Sequence, residues 1–173
     1  VATSELTTRV TEGTTTIYVT VEVSSSILLL PEVPMTGRLD NPRVGYFTNP
    51  LTNFSDGQQR VNKKQFITRW RLEPKPEDRE AYLRGELVEP QKPIVFYIEN
   101  STPYRWRKYI KQGIEDWQVA FERAGFKNAI IAKDITDDME VDMDDVNYSV
   151  LTYAASTKAN AMGPSILDPR SGE

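Results

Sequence analysis

Apolar and polar positions separate most clearly between Pro93 and Asp134. Ile94 to Ile98 reads Ile-Val-Phe-Tyr-Ile. It is continuously apolar, β-branched and aromatic, as expected of a strand covered on both faces. An amphipathic segment follows. Thr102 or Ser101 suits its N-cap, Pro103 its first helical position, and Gly125 the residue just past its end. Within it Trp106, Ile110, Ile114, Trp117, Phe121 and Ala124 recur at spacings of three and four. That places both indoles and both isoleucines on one face, with Arg107, Lys108, Lys111, Glu115 and Glu122 on the other. Ala129 to Ala132 is a second short apolar run. The pattern predicts one long helix over 103–124 between two strands, a right-handed βαβ unit.

Elsewhere the pattern is looser. Glu5 to Val10 and Thr15 to Val23 alternate and read as strands joined at Glu12-Gly13. They form either a hairpin laid against the core or a tail that takes its order from neighbours. Residues 31–65 read as loop, punctuated by Pro31, Pro34, Pro42 and Pro50, with an aromatic-anchored turn over Asp40 to Phe47. Gln65 to Leu72 reads as a strand. Its Arg69 and Arg71 suit an anion site or, more plainly, a solvated cationic face. Residues 73–92 are charged, carry three prolines and read as an exposed connection. Asn147 to Ala154 alternates as a third core strand, and Ser165 to Leu167 starts another. Asp168-Pro169-Arg170-Ser171-Gly172 is a turn, so the chain reads as breaking off in mid-hairpin.

Composition narrows the function. A chain of 173 residues suits one domain, or one with an appendage. An apolar fraction of 39% and a mean hydropathy of −0.50 concentrate the core in few stretches. A net charge of −4 and a pI near 5.1 argue against nucleic acid as a partner. No run is long enough to span a membrane. There is no cysteine and no histidine. Disulfides, thiol chemistry, a Ser-His-Asp triad and imidazole–metal sites are therefore excluded within this chain. Val1 to Arg9 is polar and threonine-rich and does not read as a signal peptide.

No motif carries a reaction alone. Phosphate-binding glycine loops and nucleophile elbows are missing from the sequence. The acids Asp134, Asp137, Asp138, Glu140, Asp142, Asp144 and Asp145 suggest calcium, but their spacing is not that of an EF-hand loop. A solvated loop is the plainer reading. Glu99 lies just past the first strand, where α/β sheets often place functional groups. The small-residue run Ser156 to Gly163 would let backbone approach backbone or ligand closely.

Several words of the sequence carry a resemblance. They are Asp40 to Phe47, Arg69 to Glu73, Glu89-Pro90 through Pro93 to Ile98, Gly113 to Gln118 with Ala120 to Phe126, Met162 to Ser165, and Asp168 to Glu173. Over residues 31–173 the chain resembles the zinc-dependent metalloproteases of Bacteroidetes-type bacteria, whose catalytic domain is metzincin-like. The resemblance implies an α+β or α/β fold: a small mixed twisted sheet backed by one long helix. Residues 89–173 would be the N-terminal half of that catalytic domain, and 1–88 a β- and loop-rich segment before it. Ala161, Met162, Gly163, Pro164 and Ser165 would line the cleft wall beside the peptide substrate. Zinc would be held in the full-length parent by a later His-Glu-x-x-His helix, whose positions this chain lacks. The chain itself would then be inactive. The resemblance also implies a periplasmic, outer-membrane-associated or secreted parent. Trp106 and Trp117 should pack on the sheet, and the open sheet edge should favour self-association. The competing reading is a non-catalytic peptide- or glycan-binding module of a bacterial cell-envelope protein.

Overall fold

A computed structural model describes residues 1–54, 57 and 59–173; positions 55, 56 and 58, inside the expected loop, lie outside the described residues. The chain is α+β, with three small sheets and short helices.

Strands β1 (Ala2–Glu12) and β2 (Thr15–Ser25) pair antiparallel through a two-residue turn, Gly13-Thr14. Gly13 has φ +61° and Thr14 does not share the positive φ. That matches the type II′ hairpin turn, in which glycine takes the first central position. The hairpin expected from the alternation is present, but it is not laid against the core: all of β1 and nearly all of β2 are exposed.

A second hairpin joins β3 (Thr48–Asn53) to β4 (Asn62–Ile67). The sequence hides β3 behind Asn49, Pro50 and Asn53. Proline is tolerated because β3 has a neighbour on one side only. The strand expected over 65–72 ends at Ile67. The Asp40–Phe47 turn is ordered by Asn41, whose Oδ1 accepts from the Arg43 amide at 3.1 Å. Its aromatics do not anchor it, because Tyr46 and Phe47 are exposed.

Residues 73–92 are not a bare connection. A 3₁₀ turn (Pro76–Asp78) leads into α1 (Arg79–Leu83). Tyr82 stacks on Phe126 with centroids 5.0 Å apart. Val88, Phe126 and Ala129 form a buried cluster, covered by Leu72, Ala81, Tyr82 and Phe121. Burying a side chain such as Phe126 contributes about 1.5–3 kcal/mol.

The βαβ unit is present. β5 (Ile94–Ile98) runs parallel to β6 (Ile130–Asp134), with Ile94 opposite Ile130 and Ile98 opposite Asp134. β7 (Ser149–Leu151) adds on the other side of β5, also parallel. The order is β6-β5-β7. The sheet is therefore parallel rather than mixed, and its third strand is three residues long instead of the eight over 147–154. No strand forms at 165–167.

The single long helix is two: α2 (Tyr104–Glu115) and α3 (Gln118–Arg123), with a turn at Asp116-Trp117. Pro103, not Thr102, is the N-cap residue, and no side chain caps the helix. The inward face also differs from expectation. Arg107, Ile110, Lys111, Ile114, Gln118 and Phe121 are the half-buried positions. Trp106 and Trp117 are 41% and 64% exposed and do not pack on the sheet. Arg107 and Lys111 take inward positions instead, Arg107 bonded to the loop carbonyls of Asn100 and Thr102 and Lys111 paired with Asp134 at the end of β6.

Candidate functional site

In an open parallel sheet, ligands bind beyond the carboxyl ends of the strands, where successive connections leave in opposite directions. Here that place is the end of β5, with β6 on one side and β7 on the other. The Ile135 amide donates to the Ile98 carbonyl at 3.1 Å, and the Glu99 amide to the Leu151 carbonyl at 3.1 Å. These bonds hold the three strand ends together.

Glu99 to Thr102 then turns the chain into α2, the Thr102 amide donating to the Glu99 carbonyl at 3.1 Å. The Ser101 hydroxyl donates to Glu99 Oε2 at 2.6 Å. Arg107 reaches back from the first turn of α2, Nε donating to the Thr102 carbonyl at 2.9 Å and Nη2 to that of Asn100 at 2.7 Å. It fixes the loop, not the free amides of the helix. Lys111, one turn on, pairs with Asp134 at the end of β6. Thr102 Oγ1 and Asp134 Oδ1 are buried without a protein partner. The cluster offers acceptors and hydroxyls that suit hydrogen bonding to a polar ligand.

The predicted site residues lie elsewhere. Ala161, Met162, Gly163, Pro164 and Ser165 are all exposed, in a stretch without secondary structure. A Cβ added at Gly163 would meet nothing within 4 Å, so no other part of the chain approaches it closely. Close approach occurs at Gly172, where a Cβ would lie 2.5 Å from the Ile67 carbonyl oxygen.

Arg69 and Arg71 are half-buried and bind backbone carbonyls and carboxylates, so they do not form a solvated face. Arg69 Nη2 donates to the Thr36 carbonyl at 2.6 Å, and burial, then repulsion from Arg38, lowers its pKa. Arg71 reaches Glu73 at 3.2 Å, the Val33 carbonyl at 3.3 Å and Glu173 at 3.8 Å. Arg170 holds both oxygens of Asp168, at 3.0 and 2.7 Å, and donates to the Pro31 carbonyl at 2.9 Å. The Asp168–Glu173 turn is thus bound to residues 31–73, and the Arg69 amide donates to the Gly172 carbonyl at 2.9 Å. Arg170 keeps the Asp168 carboxyl below the usual carboxylate range.

The acidic loop uses its carboxylates to order its own backbone. Asp142 accepts from the Asp144 amide at 2.9 Å, and Asp145 from the Asn147 amide at 2.9 Å, so both shape turns into β7. A hydrogen bond from Thr136 lowers the Asp138 pKa. Among the described residues no group of three or more His, Cys, Asp or Glu is placed to hold a metal.

Sequence reasoning missed Gln118. Its Oε1 accepts from the Ala129 and Ile130 amides at 2.9 and 3.3 Å, and its Nε2 donates to the Phe126 carbonyl at 3.1 Å. The signal was its position, four residues after Ile114 and three before Phe121, on the inward stripe.

Residues 1–75 match the model of a family described as Domain of unknown function (DUF5117). No curated protein and no solved structure matches the chain. Among the described residues no helix is long and apolar enough to cross a membrane.

Proposed function

We propose that this chain is the N-terminal portion of the catalytic module of a zinc-dependent metalloendopeptidase, with the segment that precedes it. Peptide-bond hydrolysis belongs to the longer parent, which acts outside the cytoplasm. The observation that carries the reading is the unit from Ile94 to Asp134. Strand, helix and parallel strand follow in the chain order that the resemblance implies, with β7 beyond them. The exposed Trp106 and Trp117 count against this reading, which rests on the sheet and on the sequence words. The residues present do not fit a zinc site: the sequence has no histidine or cysteine, and the described acids do not converge. No step of hydrolysis is therefore assigned to this chain. Its part is to supply the sheet, with Ala161 to Ser165 as one wall of the substrate cleft in the parent.

The test has two arms. The purified 173-residue chain should show no chelator-sensitive cleavage of casein. The protein expressed from the whole reading frame should cleave it, and zinc removal should abolish the activity. A stop codon directly after Glu173 would overturn the proposal.

One observation favours a second reading, a peptide- or glycan-binding module. Tyr104, Trp106, Tyr109 and Trp117 are all exposed on α2 and the turn after it. Exposed aromatics are the common anchors of binding surfaces. Loss of oligosaccharide or peptide binding in Trp117→Ala, with zinc-independent binding by the wild type, would select this reading.

A further inference from the structure

The β1–β2 hairpin has a division of labour that a lone hairpin does not use. Its register puts Leu6 and Val10 on one face with Ile17, Val19, Val21 and Val23. The opposite face carries Thr3, Glu5, Thr7, Arg9 and Thr11 on β1, beside Ser24, Glu22, Thr20, Tyr18 and Thr16 on β2. Two threonine pairs bridge the strands there, Thr7–Thr20 at 3.2 Å and Thr11–Thr16 at 3.1 Å. Arg9 lies over the Tyr18 ring at 5.6 Å. One pair is unfavourable: Glu5 stands directly opposite Glu22. Like charges in facing positions destabilise a sheet.

The outer edge of β1 is long and uninterrupted, and its charges, Glu5, Arg9 and Glu12, are of both signs. It runs for 11 residues without proline, lysine or bulge, and β1 pairs only with β2 in its sheet. Natural edges are normally short or interrupted. The tight turn makes Glu12 and Thr15 a hydrogen-bonded pair, and that bonding alternates along the strand. The amides and carbonyls of Thr3, Glu5, Thr7, Arg9 and Thr11 therefore point to the open edge.

The geometry points to a second copy of this chain as the occupant of that edge, with β1 pairing antiparallel to β1 about a two-fold axis at Thr7. In that register Thr7 faces Thr7 of the other copy, and Glu5 faces Arg9. Symmetry repeats the Glu5–Arg9 pair, as an isologous contact requires. Each polar row across the resulting four-stranded sheet then reads Tyr18, Arg9, Glu5, Glu22. The cation of one copy comes to lie beside the two facing carboxylates of the other. The β2 edge has no such complement, because Glu22 is its one charged residue. Two strands alone are marginal in water, whereas a four-stranded sheet is within the range that persists. This inference does not depend on the protease reading. It also moves self-association away from the three-stranded sheet, whose edge strands have five and three residues.

Sedimentation velocity on the full chain tests it. The wild type should show a monomer–dimer equilibrium. Glu5→Arg and Arg9→Glu should each weaken it about ten-fold, since each turns two attractive cross-strand pairs into repulsive ones. An equimolar mixture of the two variants should recover a dimer, because every facing pair is again opposite in sign. Thr7→Pro, which removes an edge amide not used inside the hairpin, should abolish association. A wild type that stays monomeric overturns the proposal, and so does a dimer indifferent to Glu5→Arg. Failure of the mixed variants to associate does the same.

Discussion

At the scale of single residues, the C-terminal turn is the most constrained place in the chain. Gly172 has φ +79°, and a Cβ there would come 2.5 Å from the Ile67 carbonyl oxygen. The left-handed backbone costs a non-glycine residue about 1–2 kcal/mol before the clash is counted. Gly172→Ala should therefore lower stability by about 2–4 kcal/mol in urea unfolding. Gly163→Ala should change it by less than about 0.5 kcal/mol, since nothing lies within 4 Å of the added methyl. Similar losses at both positions would contradict the packing described. Asp168 gives a pH signature in the same turn. Hydrogen bonds from Arg170 depress its folded pKa below the ordinary 3.8. A carboxylate depressed by folding contributes stability that is fully present above its unfolded pKa. That contribution is lost as pH falls through the folded value. Wild type should thus exceed Asp168→Asn in stability at pH 6. The gap should hold down to about pH 4 and close below it. Unfolding midpoints measured from pH 6 to pH 2 check the sign, and a gap that widens on acidification would refute it.

At the scale of elements, legibility followed the source of the order. Ile94 to Ile98 was readable to the residue because five consecutive apolar side chains on a strand demand cover on both faces. The helix was readable in place and period but not in orientation. Periodicity finds a stripe, and two tryptophans made it look like the buried one. The inward stripe instead mixes Ile110, Ile114 and Phe121 with Arg107, Lys111 and Gln118, whose polar ends meet carbonyls, a carboxylate and amides at the strand termini. Those partners are distant in sequence, so a single chain's pattern cannot announce them. The strand-end cluster was legible only at Glu99, and the 161–165 segment drew attention through resemblance alone. Gln118 gives the sharpest test. Gln118→Ala would leave the Ala129 amide and the Phe126 carbonyl without their partner in a part-buried site. Stranding such groups costs about 1–3 kcal/mol. Trp117→Ala, at a residue 64% exposed, should cost under about 1 kcal/mol. Thermal melts of the two variants should rank in that order; the reverse would return the indole to the sheet.

At the scale of the whole molecule, two bodies of contacts are tied to very different degrees. Residues 31–173 are linked across long separations: Arg170 to Pro31, Arg71 to Glu173, Trp70 to Phe96 at 6.2 Å, and Val88 to Phe126. Among the described residues the hairpin of residues 2–25 has no comparable attachment. Its side-chain bonds run between its own strands, and the first link outward is Ser26 to the Asp144 carbonyl. Cooperative unfolding requires shared buried surface, and segments without it open at much lower cost. The apolar residues that could have joined the hairpin to the core, Leu6, Val10 and Ile17, are exposed. A chain starting at Ser26 should therefore keep the melting temperature of the intact chain within about 2 °C, since a shift of several degrees would correspond to about 1 kcal/mol of lost core. The comparison belongs at a concentration where the intact chain is monomeric, because dimerisation would raise its apparent stability by mass action. A fall of 8 °C or more under those conditions would show that the hairpin packs on the body of the molecule after all.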